Sequence, residues 1–303
     1  MKNFISGALA LLFLALALPS QAAVRVLATT ADWGALATEL GGDHVDVYTA
    51  TTAMQDVHRV DAKPSLVARA RTADLVVANG AELEIGWLPV LLQQSGNAKV
   101  QTGQPGNFAA ADFVRKLEVP TQLDRSQGDV HAGGNPHIQT DPRNIALVAT
   151  ALAARLAQID PTNAAQYAKN EAEFARRWQQ AVARWSAQAA PLRGIAVVSQ
   201  HKAFVYLYDW LGLREVAVLE PKPGVEPSPS HLQSVLATLK STPAKIVLHA
   251  AYQDAKPSEW LAGNAGIAVV KLPFTVGGSE AAKDLFGLFG DTVARLLAGA
   301  AKP

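Results

Sequence analysis

The sequence predicts an α/β protein of two lobes, each a roughly four-stranded parallel sheet flanked by helices, with one long helix joining them. Short apolar runs alternate with helical stretches, which is typical of parallel strands that are buried on both faces. Residues 162–190 contain neither Gly nor Pro, so one helix about 45 Å long can cross the middle of the chain. The alternation then starts again, which indicates a second lobe.

Residues 24–141 are predicted to form the N-terminal lobe. Its apolar runs stop at turn signals such as Gly41-Gly42 and Asn79-Gly80, and Pro64 suits the first turn of a helix. The predicted strands are 24–29, 45–50, 73–78 and 99–101, the predicted helices are 33–40, 64–70 and 87–94, and residues 103–136 are predicted to be loop.

Residues 142–191 are predicted to be connecting helices, and residues 192–303 the C-terminal lobe. Asp141-Pro142 favours a helix start, because Asp can cap a helix whose first residue is Pro. One helix is predicted over 142–157 and the long one from Asp160-Pro161 to near Ala190. The C-terminal lobe is predicted to have strands 195–199, 216–219, 245–248 and 268–272, and helices over 203–210, from 229 onward and over 281–297.

Residues 1–23 have the pattern of a secretory signal peptide. Lys2 precedes an apolar stretch over residues 5–18, and small residues follow it up to Ala22 and Ala23, where we expect cleavage. The apolar stretch is shorter than the about 20 residues of a membrane-spanning helix, although a retained anchor is the alternative. We therefore expect an exported protein.

The composition excludes several kinds of site. The chain has 27 Lys and Arg against 26 Asp and Glu, and a near-neutral protein without a basic stripe is a poor candidate for nucleic-acid binding. It has no cysteine, which excludes disulfides, thiolate ligands and cysteine nucleophiles. A transition-metal site in this chain would therefore use His and carboxylate side chains.

Three of the seven histidines are predicted to lie near strand ends. His58 is in a loop after the second strand, His137 is in a loop before Asp141-Pro142, and His201 follows the first strand of the second lobe. Ligands of open parallel sheets bind at the carboxyl ends of strands, so these loops are expected to face one cleft. Three imidazoles and one open position suit an ion such as zinc. An ordinary polar role for each histidine is the alternative, and no short metal motif decides between them.

Several segments give the mature chain a family resemblance over nearly all of its length. They are Gln55-Asp56-Val57-His58 with Pro64-Ser65, Asn79-Gly80 with Glu84 and Trp87, Gly134-Asn135-Pro136-His137 with Asp141-Pro142, Ser199-Gln200-His201-Lys202-Ala203-Phe204-Val205-Tyr206, and Glu220-Pro221 through Pro227-Ser228. In these segments the chain resembles the zinc- or manganese-binding substrate-binding proteins of bacterial ABC importers. The resemblance implies a periplasmic, non-catalytic protein that holds a metal between its lobes through His58, His137 and His201 and delivers it to a membrane permease. We expect a monomer, as for a diffusing carrier.

The resemblance also bears on which metal is bound. Manganese-binding members tend to have a carboxylate where this chain has His201, so three histidines favour zinc over manganese or another divalent ion. The usual fourth ligand of the family, an Asp after the last strand, is replaced by Val276. Glu280, His131 or a water molecule could take the fourth position, and the sequence does not choose among them.

Two other functions are alternatives. An exported zinc hydrolase could use the same three histidines, but it would need a general base, and Asp56 is the acidic neighbour. Asp56 is equally expected to orient His58 or to cap its loop. A metal-independent adhesin or structural protein would leave the three loops without a reason to share a cleft. Structural roles are predicted for His44, His231, His249, Glu84 and Trp87, and for His249, at a strand end, a place at the rim of the cleft is the alternative.

Overall fold

The computed structural model describes residues 22–121, residue 128 and residues 131–302. The expected signal peptide lies outside the described residues up to residue 21, and part of the predicted loop 103–136 also lies outside them. Within the described ranges, no helix is long and apolar enough to cross a membrane.

The N-terminal lobe has the predicted parallel sheet flanked by helices. Its strands are β1 (Val24–Ala28), β2 (Val45–Thr49), β3 (Leu75–Ala78) and β4 (Asn107–Ala109), and its helices are α1 (Ala31–Gly41), α2 (Pro64–Thr72) and α3 (Leu88–Ser95). The strand order is β2-β1-β3-β4. All four residues of β3 are buried, as its apolar sequence predicts.

The prediction of a strand at residues 99–101 is wrong. Ala98–Val100 form a 3-10 turn, and the Asn97 side chain caps it by accepting a hydrogen bond from the backbone N–H of Lys99 at 3.1 Å. The fourth strand is β4, inside the predicted loop, where it pairs with β3. Gly106 precedes β4, and a Cβ at this position would lie 2.5 Å from the carbonyl oxygen of Lys99. Glycine is therefore what lets the chain pass so close to the turn.

Two helices, α4 (Pro142–Ile159) and α5 (Ala164–Gln188), connect the lobes. The predicted start of α4 is confirmed, because the Asp141 carboxylate accepts a hydrogen bond from the backbone N–H of Arg143 at 2.8 Å. A 3-10 turn, Pro161–Asn163, precedes α5. The long helix therefore has 25 residues and is about 38 Å long rather than about 45 Å.

The C-terminal lobe repeats the topology of the first lobe. Its strands are β5 (Ala196–Ser199), β6 (Arg214–Val218), β7 (Ile246–Ala250) and β8 (Ala268–Leu272), and its helices are α6 (Val205–Leu211), α7 (Pro229–Ser241), α8 (Lys256–Ala265) and α9 (Leu285–Ala300). The strand order β6-β5-β7-β8 is equivalent to that of the N-terminal sheet. Helix α8 has no counterpart among the predicted elements, although Pro257 in its first turn and Gly266 after its end, with φ of 68°, mark its bounds.

One buried apolar cluster continues from one sheet to the other, and we call it the shared core. It contains side chains of β1, β5, α1, α4, α5 and α9, among them Val26, Trp33, Leu152, Trp178, Val197 and Phe289. Separate apolar clusters cover the other face of each sheet. The lobes are thus joined by continuous packing, while loops at the carboxyl ends of their strands meet in a cleft.

Candidate metal centre

The three histidines predicted to face one cleft come together in the structure. His58 lies in the loop after β2, His137 lies immediately before a 3-10 turn that leads into α4, and His201 is the second residue after β5. One nitrogen from each ring lies within 4.8 Å of the other two, which makes these residues a group that could hold a metal ion. We call them the histidine cluster.

The rings of the histidine cluster are spaced like ligands of one ion. The Nε2 atoms of His137 and His201 lie 3.2 Å apart. Two nitrogen ligands of a tetrahedral zinc ion, each about 2.0–2.1 Å from the metal, would be about 3.3 Å apart. The ring centroids of the three pairs are 5.3 to 5.9 Å apart, and the rings are inclined by 73 to 81°. The rings therefore meet edge to face rather than stack.

Carboxylates hydrogen-bond to the Nδ1 atoms of two of the three rings. Nδ1 of His58 lies 2.7 Å from Asp56 Oδ1, and Nδ1 of His201 lies 2.7 Å from Glu220 Oε2. Because an ionised carboxylate only accepts hydrogen bonds, Nδ1 donates in both pairs, and in the neutral ring Nε2 then carries the lone pair. A carboxylate behind the imidazole is the usual support of a histidine metal ligand.

Asp56 both orients the ring of His58 and caps its loop, which are the two roles expected for it. Glu220, the partner of His201, is not among the site residues predicted from the sequence. The backbone N–H of His58 donates to Asp56 Oδ1 at 3.0 Å, so Asp56 caps the loop as well as orienting the ring. Burial opposes ionisation of Asp56, but its bonds with His58 prevail and lower the pKa of the carboxyl. Glu220 reaches His201 because β6 lies beside β5, and its backbone N–H donates to the carbonyl of Gln200 at 3.0 Å.

His137 is held by its backbone and by burial. Its backbone N–H donates to Asn135 Oδ1 at 3.1 Å, and its carbonyl accepts from Thr140 Oγ1 at 2.9 Å. Asn79 Nδ2 donates to the carbonyl of Pro136 at 2.6 Å. Burial, and then the charges of the neighbouring histidines, lowers the pKa of His137 well below its usual value. The ring is therefore neutral, which is the form that binds metal.

Two nitrogens of the histidine cluster, His58 Nε2 and His137 Nδ1, are buried and have no hydrogen-bond partner within the described part of the chain. Buried polar atoms without partners are uncommon and call for an explanation. A cation between the rings explains the first of them, because His58 Nε2 carries the lone pair opposite the bond to Asp56. The donor set fits a divalent transition metal.

Glu84 and Trp87, predicted to be structural, also support the loops of the site. The buried carboxylate of Glu84 accepts a hydrogen bond from the backbone N–H of Asn79 at 2.7 Å, and Asn79 holds the segment that precedes the second cluster histidine. Trp87 Nε1 donates to the carbonyl of Val57 at 2.8 Å, next to His58. Both residues thus position the segments that carry His58 and His137 through the backbone.

The candidates for a fourth metal ligand, and the residue at the usual family position, differ in burial and in their contacts. Glu280 is exposed. Val276 packs against the shared core, and its backbone N–H donates to Asp32 Oδ1 at 3.1 Å. His131 stacks on His58 with a ring-centroid separation of 5.6 Å, and it lines a cavity of about 270 Å³ beside the histidine cluster.

A second cavity, of about 280 Å³, also reaches the histidine cluster and has a largely acidic lining. Asp56 and Glu220 lie in its wall together with Glu226, Asp254 and Arg59. Because four carboxylates face one guanidinium here, the wall favours the approach of cations.

The other histidines predicted to be structural have contacts elsewhere. The ring of His44 packs edge-on against Tyr167 with centroids 6.1 Å apart. His231 Nε2 lies 3.2 Å from the carbonyl oxygen of Val218. His249 is buried in β7, and its pKa is lowered, mainly by that burial.

Comparison with known sequences gives one family. The family described as "Zinc-uptake complex component A periplasmic", ZnuA, matches residues 26–299. The manganese ABC transporter substrate-binding lipoprotein PsaA of Streptococcus pneumoniae serotype 4 is 23% identical over 266 residues, which cover 86% of this chain and 83% of PsaA.

Several solved structures share the fold, among them two with bound metal. A zinc-bound ZnuA deletion mutant has a TM-score of 0.75 at 23% identity, with 93% of this chain and 100% of that chain covered. The substrate-binding protein FpvC of Pseudomonas aeruginosa in complex with Mn²⁺ has a TM-score of 0.77 at 23% identity, with 91% and 98% covered. The two-lobed architecture predicted from the sequence is therefore confirmed.

Proposed function

Because this chain belongs to the ZnuA family of metal-binding substrate-binding proteins of ABC importers, we propose that it captures zinc in the periplasm and delivers it to a membrane permease. The protein is exported with a signal peptide that is cleaved near Ala22 and Ala23, works as a monomer, and catalyses no reaction. Zinc is its cargo rather than a resident cofactor.

The observation that supports this proposal is the convergence of three imidazoles from two lobes. His58 and His137 come from the N-terminal lobe and its border with α4, and His201 comes from the C-terminal lobe. A metal bound to all three connects the lobes. The carboxylates behind two of the rings increase the basicity of those ligands and fix their orientation.

The kind of ligand favours zinc over manganese. Imidazole nitrogen suits zinc, whereas carboxylate and other oxygen ligands suit manganese. Asp56 and Glu220 bond to ring nitrogens, so their oxygens support the ligands instead of replacing them. The relatives are named for different metals, manganese for PsaA and zinc or Mn²⁺ for the two structures, so the choice of zinc rests on the side chains of this chain.

The alternative of an exported zinc hydrolase is not supported. The matching family consists of substrate-binding proteins. A hydrolase would need a carboxylate or similar base beside a metal-bound water, and the carboxylates that contact the histidine cluster are bonded to Nδ1 atoms on the far side of the rings.

The proposal is tested by titrating the metal-free protein, residues 24–303, with Zn²⁺ and Mn²⁺ in competition with a chelator. We expect a single zinc ion per chain and weaker binding of manganese. His58→Ala, His137→Ala and His201→Ala should each lower zinc affinity about a hundredfold or more, because a four-ligand zinc site worth about 10–16 kcal/mol amounts to about 3 kcal/mol per ligand.

His231→Ala is the matched control, since this histidine bonds to a backbone carbonyl away from the histidine cluster, and it should bind zinc like the wild type. Unchanged zinc affinity in all three cluster variants would refute the site. Tighter binding of manganese than of zinc would refute the choice of metal while leaving the site in place.

A further inference from the structure

We propose that His131 is the fourth ligand, so that four imidazoles hold the zinc ion. This inference rests on the proposed function, because it completes the same site. A zinc site with three protein ligands keeps one open position, whereas a fourth protein ligand closes the tetrahedron.

His131 lies next to the histidine cluster. Its ring centroid lies 5.6 Å from that of His58, within the 5.3 to 5.9 Å range of the pairs inside the cluster, but the two rings are inclined by 28° and stack, whereas the cluster rings meet edge to face. It lines one cavity together with His137 and His201. His131 thus lies beside His58 and faces the same cavity as His137 and His201.

The backbone that follows His131 is anchored to the N-terminal lobe. The N–H of Ala132 donates to Glu82 Oε2 at 2.6 Å, and the N–H of Gly134 donates to the carbonyl of His131 at 3.1 Å. Ala81 and Glu82 have φ values of 50° and 65°, in the left-handed region that residues with a side chain rarely adopt. Strained backbone of this kind persists at functional sites, and here it brings the Glu82 carboxylate to the segment that bears His131.

The loop after β8, on the C-terminal side, offers no competing ligand at residues 274–276. Phe274 covers the cluster from this side, with its ring centroid 5.6 Å from that of His137. Thr275 Oγ1 donates to Asp32 Oδ2 at 2.6 Å, and the backbone N–H of Val276 donates to Asp32 Oδ1. The polar groups of this segment are therefore used to hold the loop, which leaves the N-terminal side of the cluster for a fourth side-chain ligand.

Coordination by His131 requires its ring to turn toward the other three. The nitrogens of His131 lie outside the group of three that are within 4.8 Å of one another, whereas ligands of one zinc ion are about 3.3 Å apart. This turn takes place about the two side-chain torsions of His131, whereas the bond from Ala132 to Glu82 is made by the backbone and does not depend on them. Four nitrogen ligands would also discriminate further against manganese.

The test counts imidazole ligands with X-ray absorption on the zinc-loaded protein, and with the visible spectrum of the Co²⁺-substituted protein. We expect four imidazoles in the wild type. His131→Ala and His131→Gln should each show three imidazoles and one oxygen ligand, with zinc affinity lowered about a hundredfold. His231→Ala should keep four imidazoles and the wild-type affinity.

The role of His131 is wrong if the wild type shows three imidazoles and the His131 variants match it in spectrum and zinc affinity. The proposed function would still stand in that case. A wild type that binds no zinc would overturn both. Because the two substitutions differ in size and polarity, the same change in both identifies the loss of a ligand rather than a disturbed loop, and melting temperatures without metal check that each variant is folded.

Discussion

The shared core and the histidine cluster differ in how their side chains are held. In the shared core, large side chains such as Trp33, Trp178 and Phe289 are buried almost completely by packing from both lobes. In the cleft, the ligand rings are held by single hydrogen bonds to carboxylates or by the backbone. Packing holds the lobes together, and directed polar contacts orient the candidate ligand rings. Stability and metal affinity should therefore be separable by mutation.

The largest effect expected on stability alone is that of Trp178→Ala. This indole of α5 is 1% exposed, contacts the rings of Phe286 and Phe289 from α9, and donates from Nε1 to the carbonyl of Pro142 at 2.7 Å. Replacing a buried Trp by Ala costs about 3–5 kcal/mol. Urea unfolding should show this loss, while zinc affinity of the folded fraction stays within about twofold of the wild type, since every ligand remains.

Trp178→Phe is the matched variant, because it keeps most of the packing and loses the hydrogen bond. It should fall between the wild type and Trp178→Ala in free energy of unfolding. A zinc affinity that drops in step with stability across the two variants would show that packing of the shared core sets the ligand geometry, and the separation of the two regions would be wrong.

Asp32 connects the two regions and should make stability depend on pH. It lies in α1, is buried, and holds the loop after β8 through Thr275 and Val276. Burial raises its pKa to about 6 in spite of these two hydrogen bonds. The folded protein thus binds this proton more tightly than the unfolded chain does, so the free energy of unfolding should fall by up to about 3 kcal/mol as pH rises from about 4 to about 6.

Asp32→Asn should remove this decline, because Asn can accept from the N–H of Val276 and donate to Thr275 Oγ1 without ionising. Urea unfolding at pH values from about 4 to about 7 measures the free energy of unfolding of both proteins. The variant should become more stable relative to the wild type as pH rises. Asp61→Asn, at an exposed carboxylate, is the control and should run parallel to the wild type. Parallel curves for Asp32→Asn would contradict the prediction.

The carboxylates behind the rings should change affinity and not stability. Asp56→Asn and Glu220→Gln each weaken the support of one ligand ring, and loss of such support lowers metal affinity about 10–100-fold. Competition titration with zinc measures the change, and unfolding without metal should stay near the wild type. Glu226→Gln removes the same charge from the same cavity, where Glu226 is exposed, and it should lower affinity only slightly.

If Glu226→Gln lowers zinc affinity as much as Glu220→Gln, the carboxylates act through the summed charge of the cavity rather than through the bond to Nδ1. Salt separates these causes as well, because the effect of a distant exposed charge weakens as ionic strength rises, whereas a bond of 2.7 Å between partly buried groups persists.

Much of the fold could be predicted because it depends on local pattern. The apolar runs of β1, β3 and β5 predict buried strands, and Asp141-Pro142 predicts the start of α4, since each signal lies within the element it describes. The fourth strand of the N-terminal sheet, β4, could not be located from local pattern. Val100 is buried in a 3-10 turn rather than a strand, and the hydrophobicity of a single residue does not separate the two.

The candidate site likewise has one part that could be predicted from local sequence and one part that could not. His58, His137 and His201 could be proposed from their places near strand ends, and their roles as ligands stay a proposal. Glu220 could not be matched to His201, because that pairing depends on β6 being the neighbour of β5 in the sheet. The link from Asn79 to Pro136 spans 57 residues and likewise has no local signal. Contacts that depend on the order of strands become visible only in the folded chain.

The smallest expected effect belongs to Tyr206, whose ring lies in the shared core while its hydroxyl reaches the cleft. The hydroxyl donates to the carbonyl of Asn135 at 2.7 Å and accepts from the N–H of Leu117 at 3.0 Å, so it ties the C-terminal lobe to the segment before His137. Tyr206→Phe keeps the ring and should cost about 1 kcal/mol of stability. Zinc affinity should fall only a few-fold, because the other bonds to the His137 segment remain.

Tyr208→Phe is the matched control on the same helix, since that hydroxyl bonds to Ser199 Oγ within the C-terminal lobe. It should lower the free energy of unfolding by a similar amount and leave zinc affinity unchanged. If Tyr206→Phe instead lowers zinc affinity more than about tenfold at equal stability, the link between the lobes positions the ligands. The cleft would then depend on how the lobes are joined, and the two regions would be coupled through this hydroxyl.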